Sequence, residues 1–132
     1  MLIKKEVFER IGGFNEDYFM YSEDADICLR LSMAGFQNYY FSQYSVRHDD
    51  GAVASSNKAL RNSQIWRSRR LYFLNNYSLA HALLESYLFF LGVINRLLVF
   101  SIIAVFKFKN RIYKERASNE LRTLKLYFSR KF

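Results

Sequence analysis

The sequence predicts a mixed α/β fold for its front part, followed by a helical extension. Two segments near the start have the apolar periodicity of helices, and the two runs after them are rich in the aromatic and β-branched residues of short strands. Residues 79–106 then form one long apolar segment. We therefore divide the chain into a front domain, residues 1–75, and a helical extension, residues 76–132.

The two predicted helices of the front domain have recognisable ends. The first runs over about 3–11 and stops at a pair of glycines. The second runs over about 24–34, where Ser22 or Glu23 can cap its start and Gly35 is a natural C′ residue. In both segments the apolar residues recur on one side, as expected for helices that pack against a core.

The two predicted strands follow the second helix. They are "FQNYYFS", residues 36–42, and "YSVRH", residues 44–48. The next segment, "DDGAVASSN", is a loop by composition. Short strands after helices complete the α/β prediction for the front domain.

Composition and charge limit the classes of protein. At 132 residues, 51% of them hydrophobic, the chain suits one ordered domain. Residues 1–50 hold five Lys/Arg and nine Asp/Glu, residues 51–106 hold six and one, and residues 107–132 hold nine and two. The excess positive charge of residues 51–132 favours binding to nucleic acid or to anionic lipid. The acidic front and the lack of a recognised nucleic-acid motif argue against nucleic acid, so we expect no such partner.

An acidic cluster, Glu23, Asp24 and Asp26, stands at the start of the second predicted helix. The exposed N–H groups of a helix start favour negative charge by roughly 0.3–1 kcal/mol per group, so an acidic start needs no chemistry. This explanation accounts better for one or two acids than for three, and we assign Asp26 to the helix start. It does not explain the aromatic loop, residues 15–22, that leads into the cluster.

Residues 12–48, "GGFNEDYFMYSEDADICLRLSMAGFQNYYFSQYSVRH", carry an ordered run of motifs. This run resembles the C-terminal half of the catalytic domain in family 2 glycosyltransferases, especially the rhamnosyltransferase-like branch. That branch typically shows Gly-Gly-Phe-Asp-Glu, an aromatic stretch, Glu-Asp-x-Asp, a Leu-x-x-Arg-Leu-like helix ending in Ala-Gly, and a strand ending in His. Asn15 stands where the pattern has Asp. The resemblance covers about residues 1–75. The residues in the motif positions are Gly12, Gly13, Phe14, Glu16, Phe19, Tyr21, Glu23, Asp24, Asp26, Leu29, Arg30, Leu31, Ala34, Gly35 and His48.

The resemblance implies a fold and an activity. The fold would be the C-terminal half of a GT-A domain, a Rossmann-like mixed sheet between helices. The activity would be the inverting transfer of a sugar from a nucleotide-sugar donor to a glycan or lipid-linked acceptor, in polysaccharide or cell-surface glycan synthesis. The family also implies a divalent cation, Mn²⁺ or Mg²⁺, as cofactor of the complete enzyme.

The same resemblance assigns roles to individual residues. Asp24 is the expected general base, since a well-placed carboxylate can accept the proton of a sugar hydroxyl, which is a poor nucleophile. Glu23 either positions Asp24 or only caps the helix. His48 is the candidate metal ligand. Arg67 and Arg70 are candidates for the donor diphosphate, although a solvated basic face explains them equally well.

One departure from the family is large. The nucleotide-binding half of such a domain, with its Asp-x-Asp-type motif, does not precede Gly12 in this sequence. We therefore expect a truncated or partial chain in which Met1 is an internal methionine of a longer protein. We also expect the isolated chain to lack transferase activity.

The extension raises the question of a membrane. The window 87–106 has the 20 residues that a bilayer core requires. Asn95 and Arg96 stand near its middle, and a central Arg costs ~2.5–3.5 kcal/mol on insertion scales. A span, a helix lying in the interface, two helices broken near residue 95, and an arm packed on a protein partner all remain open.

The basic residues after this window suit anionic lipid head groups on the cytoplasmic side of a membrane. They are Lys107, Lys109, Arg111, Lys114 and Arg116. We therefore expect a cytoplasmic protein that is peripheral at the inner face of the cell membrane, with an anionic membrane surface as partner.

Two other classes of function stand beside the transferase. The first is a non-catalytic, membrane-associated interaction fragment, and the second is a basic nucleic-acid-binding protein. Binding to vesicles and to duplex DNA across a salt series separates them, because only the lipid mode keeps an apolar component at high salt.

Overall fold

The computed structural model describes residues 1–45, 57–106 and 111–129, and all regular secondary structure in those ranges is α-helical. Within them the chain forms α1 (Lys5–Arg10), α2 (Glu23–Met33), α3 (Lys58–Asn76), α4 (Leu79–Phe106) and α5 (Arg111–Phe128). The three long helices, α3 to α5, pack against one another as a bundle. The short helices α1 and α2 and the loops around them form the front part.

The first two helices end at glycines, as the sequence predicts. Gly12 follows the end of α1 at φ 78°, and Gly35 follows the end of α2 at φ 83°, a backbone conformation that glycine adopts at little cost. At the end of α2, the Phe36 amide donates back to the Leu31 carbonyl at 3.0 Å, which is the hydrogen bond of a Schellman motif. The two predicted helices are confirmed to within two residues at each end.

The prediction of an α/β fold with short strands is wrong. Residues 36–42 form no strand, and of residues 44–48 the first two form none, while the other three lie outside the described residues. The side chains of Tyr39, Tyr40 and Phe41 are exposed. Aromatic residues favour strands only where a sheet lets them pack, and no described segment pairs with this run. The described chain is therefore helical and does not form the expected Rossmann-like half of a GT-A domain.

An aromatic core joins the three helices of the bundle. Phe89 of α4 is buried, and its ring centroid lies 4.8 Å from that of Trp66 on α3 and 4.8 Å from that of Tyr127 on α5. Large aromatic rings dominate the energetics of small cores because each removes so much apolar surface from water. Ala59 of α3 and Ala82 of α4 are also buried.

Two ion pairs fix the side of α4 that faces its neighbours. Glu85 pairs with Arg69 of α3 at 2.7 Å, and Arg96 pairs with Glu120 of α5 at 2.9 Å. The charged residues that interrupt the apolar run in the sequence are thus directed at neighbouring helices. The helix continues through Asn95, so the alternative of two helices broken at this point is wrong.

The opposite side of α4 is apolar and exposed. By length and composition α4 is able to cross a membrane, a test that buried core helices also pass, yet only 11% of its most apolar window is buried in the described structure. The exposed residues recur every three or four positions, so they share one face. We call them the outer face of α4: Leu79, Leu83, Leu84, Tyr87, Leu88, Leu91, Ile94, Leu98, Val99, Ile102, Val105 and Phe106.

The front part is joined to the bundle through hydrogen bonds with α3. The Ser68 hydroxyl donates to the Met20 carbonyl at 2.5 Å, and the Asn76 amide donates to the Asp26 carboxylate at 2.8 Å. The boundary expected near residue 75 falls at the end of α3, and α3 itself also packs on α4 and α5. The division into two domains stays a prediction.

We predict that the Arg96–Glu120 pair stabilises the bundle measurably. Glu120 is nearly buried and Arg96 is partly exposed, so Glu120→Gln should lower the free energy of unfolding by about 1–2 kcal/mol, between the values typical of exposed and buried pairs. Urea denaturation followed by circular dichroism measures this. Glu9→Gln is the control, because the Lys5–Glu9 pair is exposed and 3.7 Å long. Equal midpoints for the two variants would show that the pair contributes nothing.

Candidate functional site

A turn with unusual backbone geometry leads into the acidic cluster. Tyr21 and Ser22 both have positive φ, at 69° and 68°. This left-handed conformation costs a non-glycine residue on the order of 1–3 kcal/mol, and such residues concentrate at functional sites. Ser22 occupies the N-cap position of α2, but its side chain makes no capping hydrogen bond, so Ser22 does not cap the helix as its residue type suggests.

Asp24 is exposed in the first turn of α2. Its Oδ1 atom accepts a hydrogen bond from the Ala25 backbone amide at 2.8 Å. Its second oxygen has no hydrogen-bond partner among the residues that the structure describes. The carboxylate is therefore held at one oxygen, while the other is available to solvent or to a ligand.

Glu23 lies in a different environment from Asp24. Its side chain is half-buried, and its Oε2 atom is fully buried with no hydrogen-bond partner in the described part of the chain. A buried polar atom without a partner costs about 1–3 kcal/mol, so this side chain is not a simple solvated helix cap. An ordered water molecule or a ligand group would satisfy the buried oxygen.

Asp26 is the centre of a buried polar network. It is 1% exposed. Its Oδ2 atom accepts from Arg30 Nε at 2.8 Å, and its Oδ1 atom accepts from the Tyr18 hydroxyl at 3.2 Å and from Asn76 Nδ2 at 2.8 Å. One carboxylate thus connects the aromatic loop, α2 and α3. Our assignment of Asp26 to the helix start alone missed this wider structural role.

Arg30 extends the network to the turn after α1. Its two terminal guanidinium nitrogens donate to the carbonyls of Ile11 and Gly13, both at 2.7 Å. Because Arg30 also binds Asp26, the glycine turn is fixed to the second helix through a single side chain. The glycines, the third acid and the arginine of the motif therefore belong to one structural unit.

Tyr18 is buried beside Asp26. Burial raises the pKa of Tyr18 to about 12, and the Asp26 carboxylate acts in the same direction through its charge and its hydrogen bond. Tyr18 therefore stays protonated at neutral pH and donates to Asp26, which satisfies one of the carboxylate oxygens.

The two arginines predicted to face a donor diphosphate lie on α3. Arg67 donates to the Tyr127 carbonyl at 2.8 Å and also to the Ser129 carbonyl, so it holds the C-terminal end of α5. Arg67 and Arg70 line a cleft of about 550 Å³ between α3, α4 and α5. No described contact joins either arginine to Glu23 or Asp24. A diphosphate role for the arginines stays a prediction, and Arg67 would have to exchange its present contacts for phosphate.

The expected divalent cation has no complete site in the described residues. His48, the predicted ligand, lies outside them, and its role stays a prediction. Within the described ranges, no group of three or more His, Cys, Asp or Glu side chains is placed to hold a metal ion. The described acids therefore do not fit a cation by themselves, and we assign no catalytic step to one.

Comparison with known proteins identifies relatives for a segment of the chain. Over 48 residues it is 46% identical to Rhamnosyltransferase WbbL from Escherichia coli (strain K12), a segment that makes up 36% of this chain and 18% of that protein. Over 48 residues it is 42% identical to N-acetylglucosaminyl-diphospho-decaprenol L-rhamnosyltransferase from Mycobacterium tuberculosis (strain ATCC 25618 / H37Rv), or 36% of this chain and 16% of that protein. No family model and no solved structure matches the chain.

These similarities show a relationship to glycosyltransferases over part of the chain. The similar segment covers less than a fifth of either rhamnosyltransferase. The relationship suggested by the motif order is thus confirmed at the level of rhamnosyltransferase-like sequence.

Local sequence patterns reveal only part of the network around Asp26. Asp26 and Arg30 stand four residues apart in a predicted helix, a spacing at which opposite charges pair. This contact is therefore predictable from the sequence. Asn76 is 50 residues away from Asp26, and no local pattern marks it as a partner.

We predict that Asp26 is needed for stability and Asp24 is not. Asp26→Asn keeps the size of the side chain but removes the charge that pairs with Arg30, so the free energy of unfolding should fall by about 3 kcal/mol. Asp24→Asn should change it by less than about 0.5 kcal/mol, because Asp24 is exposed. Chemical denaturation of the two variants measures the difference. Similar losses in both would show that the network around Asp26 does not carry the stability of the front part.

We also predict that Tyr18 makes stability depend on pH in the alkaline range. Its folded-state pKa is about 12, whereas an unfolded tyrosine titrates near pH 10, so the contribution of Tyr18 is complete below about pH 10 and is lost as the pH rises to about 12. Tyr18→Phe should therefore reduce the fall in urea midpoint between pH 9.5 and 11, values chosen around these two pKa values.

Tyr40→Phe is the matched control for that measurement, because the Tyr40 side chain is 91% exposed. The control should lose stability with pH as steeply as the unmodified chain does. If Tyr18→Phe follows the control, the raised pKa of Tyr18 is not coupled to folding.

Proposed function

We propose that this chain is part of an inverting glycosyltransferase that acts in polysaccharide or cell-surface glycan synthesis. The enzyme moves a sugar from a nucleotide-sugar donor to a glycan or lipid-linked acceptor. The observation that carries the proposal is the 46% identity to a rhamnosyltransferase over 48 residues. Because that segment is 18% of the relative's length, the complete activity also depends on regions outside this similarity.

We place the acceptor-activating step at Asp24. An acceptor hydroxyl attacks the anomeric carbon of the donor from the face opposite the nucleoside diphosphate, so one C–O bond forms as the other breaks and the configuration inverts. The hydroxyl proton passes to the carboxylate oxygen of Asp24, and the bonding electrons leave with the diphosphate. The exposed position of Asp24 and the hydrogen bond from Ala25 support this assignment, because a base must be both accessible and oriented.

Glu23 and Asp26 have supporting roles in this proposal. Asp26 holds α2 against the aromatic loop and α3, so the first turn of α2 has a fixed position. Glu23 positions the neighbouring Asp24, and its buried Oε2 atom is satisfied by water or by a polar group of the acceptor. The strained turn at Tyr21 and Ser22 supports a functional purpose for this region.

We also propose that the protein is cytoplasmic and peripheral at the inner face of the cell membrane. The support is the coexistence of an exposed apolar helix with a basic rear half. Basic segments beside apolar ones favour the cytoplasmic side, where lipid head groups carry negative charge.

The test of the catalytic proposal is a chimera. The similar segment of the Escherichia coli rhamnosyltransferase is replaced by the corresponding segment of this chain, which we place in the motif run 12–48 and its flanks. In an active chimera, Asp24→Asn should lower turnover by about two to four orders of magnitude, because positioned proton transfer contributes typically ~10²–10⁴-fold. The KM for the donor should change little.

Asp17→Asn is the control in the chimera, since Asp17 is an exposed acid of the same loop region to which we give no role. It should leave turnover unchanged. If Glu23→Gln abolishes turnover while Asp24→Asn does not, the base is misassigned within the pair. If both leave turnover intact, the acids only stabilise a helix start, and the non-catalytic interaction fragment becomes the better explanation.

A further inference from the structure

The outer face of α4 is the largest unexplained feature of the described structure. It runs from Leu79 to Phe106, which is 28 residues or about 42 Å of helix. Monomeric soluble proteins rarely leave such a continuous apolar surface in water, so a face of this length marks a docking site. The inner side of the same helix is occupied by α3 and α5.

We propose that the outer face of α4 docks on an anionic membrane surface with the helix axis parallel to the membrane plane. The inference deepens the peripheral location proposed above and uses none of the catalytic assignments. The occupant is a lipid bilayer that contains anionic head groups, and the helix enters only the boundary between head groups and acyl chains.

Charge favours lipid as the occupant. The three helices of the bundle together contain eleven Lys/Arg and three Asp/Glu. Two of those three acids, Glu85 and Glu120, are buried and paired with arginines, so the exposed charge of the bundle is almost entirely positive. An exposed apolar face on a bundle of net positive charge is the combination that binds anionic membranes in the interface.

The packing of α5 determines the orientation of α4. α5 lies along the middle of α4: the Phe128 ring stacks on Phe90 at 5.6 Å, Glu120 pairs with Arg96, and the Arg116 guanidinium lies 5.8 Å from the Phe100 ring. If α4 crossed the bilayer in this packing, α5 would enter the hydrocarbon with it.

The exposed cations of α5 make that crossing unfavourable. Arg116, Arg122 and Lys125 are exposed on a helix that is packed beside the centre of the apolar window. Charged side chains at the centre of a bilayer are expensive and usually face a protein interior or a water-filled cavity. With α4 in the membrane plane, the same cations can remain at the level of the head groups, where anionic lipid attracts them.

The first experiment measures vesicle binding of the full chain in co-sedimentation. Vesicles that contain phosphatidylglycerol should bind the chain about tenfold or more tightly than pure phosphatidylcholine vesicles, and raising the salt should weaken binding without abolishing it. Leu91→Glu places a charge on the outer face, at a side chain that is 50% exposed, and should lower the partition coefficient by at least about tenfold.

Tyr40→Glu is the matched control, because Tyr40 is a 91% exposed aromatic residue outside the bundle. It should bind vesicles like the unmodified chain. Circular dichroism checks that both variants keep their helix content. Absence of vesicle binding by the unmodified chain, or equal losses in the two variants, would overturn the proposal. If Leu91→Glu instead separates a dimer in the absence of lipid, the occupant of the face is a second copy of the chain.

The second experiment measures depth in a Cys28→Ser background. A fluorescent label is attached at cysteines that replace Leu84, Ile94 or Ile102, three outer-face residues that are 54–55% exposed, and is quenched by lipids labelled at known depths. An in-plane helix places all three labels at the same shallow depth. A crossing helix places the label at residue 94 deepest and the other two nearer the surfaces, which would contradict the proposed orientation.

These outcomes are separate from the catalytic proposal, because neither experiment involves a sugar donor or an acceptor. If the full chain does not bind vesicles while the chimera is fully active, only the docking surface is refuted. An active chimera whose turnover is unchanged by Asp24→Asn, together with normal vesicle binding by the full chain, would refute the catalytic assignment alone.

Discussion

The buried carboxylate of Asp26 is the interaction on which the front part of this protein depends. Taking an ionised carboxylate out of water is costly unless charge and hydrogen bonds replace the lost hydration. Here Arg30 supplies the charge, while Tyr18 and Asn76 supply the remaining hydrogen bonds. Because these donors come from different segments, the requirement to satisfy one carboxylate brings the aromatic loop and α3 to α2. Arg30 transmits the same constraint to the turn after α1.

The three acids at the start of α2 differ in burial, and we assign them different roles. Asp26 is buried and structural, Glu23 is half-buried with one unsatisfied oxygen, and Asp24 is exposed. A catalytic carboxylate has to be accessible to its substrate and still have a fixed direction. Asp24 meets both conditions because its helix is anchored two residues away. This explains why three acids stand together at the start of α2. Asp26 fixes the helix in place, while Glu23 and Asp24 each keep a carboxylate oxygen that can still accept a hydrogen bond.

The sequence predicted what depends on local interactions. The ends of α1 and α2 follow from glycines that adopt positive φ, and the apolar periodicity identifies the helices themselves. The strand predicted at 36–42 was wrong, as was the described start of the one at 44–48, because strand formation depends on a pairing partner that sequence patterns do not show. In the same way, Arg96 is ambiguous within an apolar run until its pairing with Glu120 is known, and the bond from Asn76 to Asp26 spans 50 residues. The exposed position of Asp24 likewise could not be predicted from the sequence, because it depends on which neighbouring acid is buried.

The measurement that tests this account most directly is hydrogen exchange in an Asn76→Ala variant. The substitution lies in α3, but it removes a hydrogen bond to Asp26. If the carboxylate is the anchor, amides of the aromatic loop and of α2 should exchange about tenfold faster or more, while those of α4 and α5 stay protected. Arg61→Ala, at an exposed position of the same helix, should leave all of these rates unchanged. Faster exchange confined to the end of α3, with α2 unaffected, would contradict the central role of Asp26.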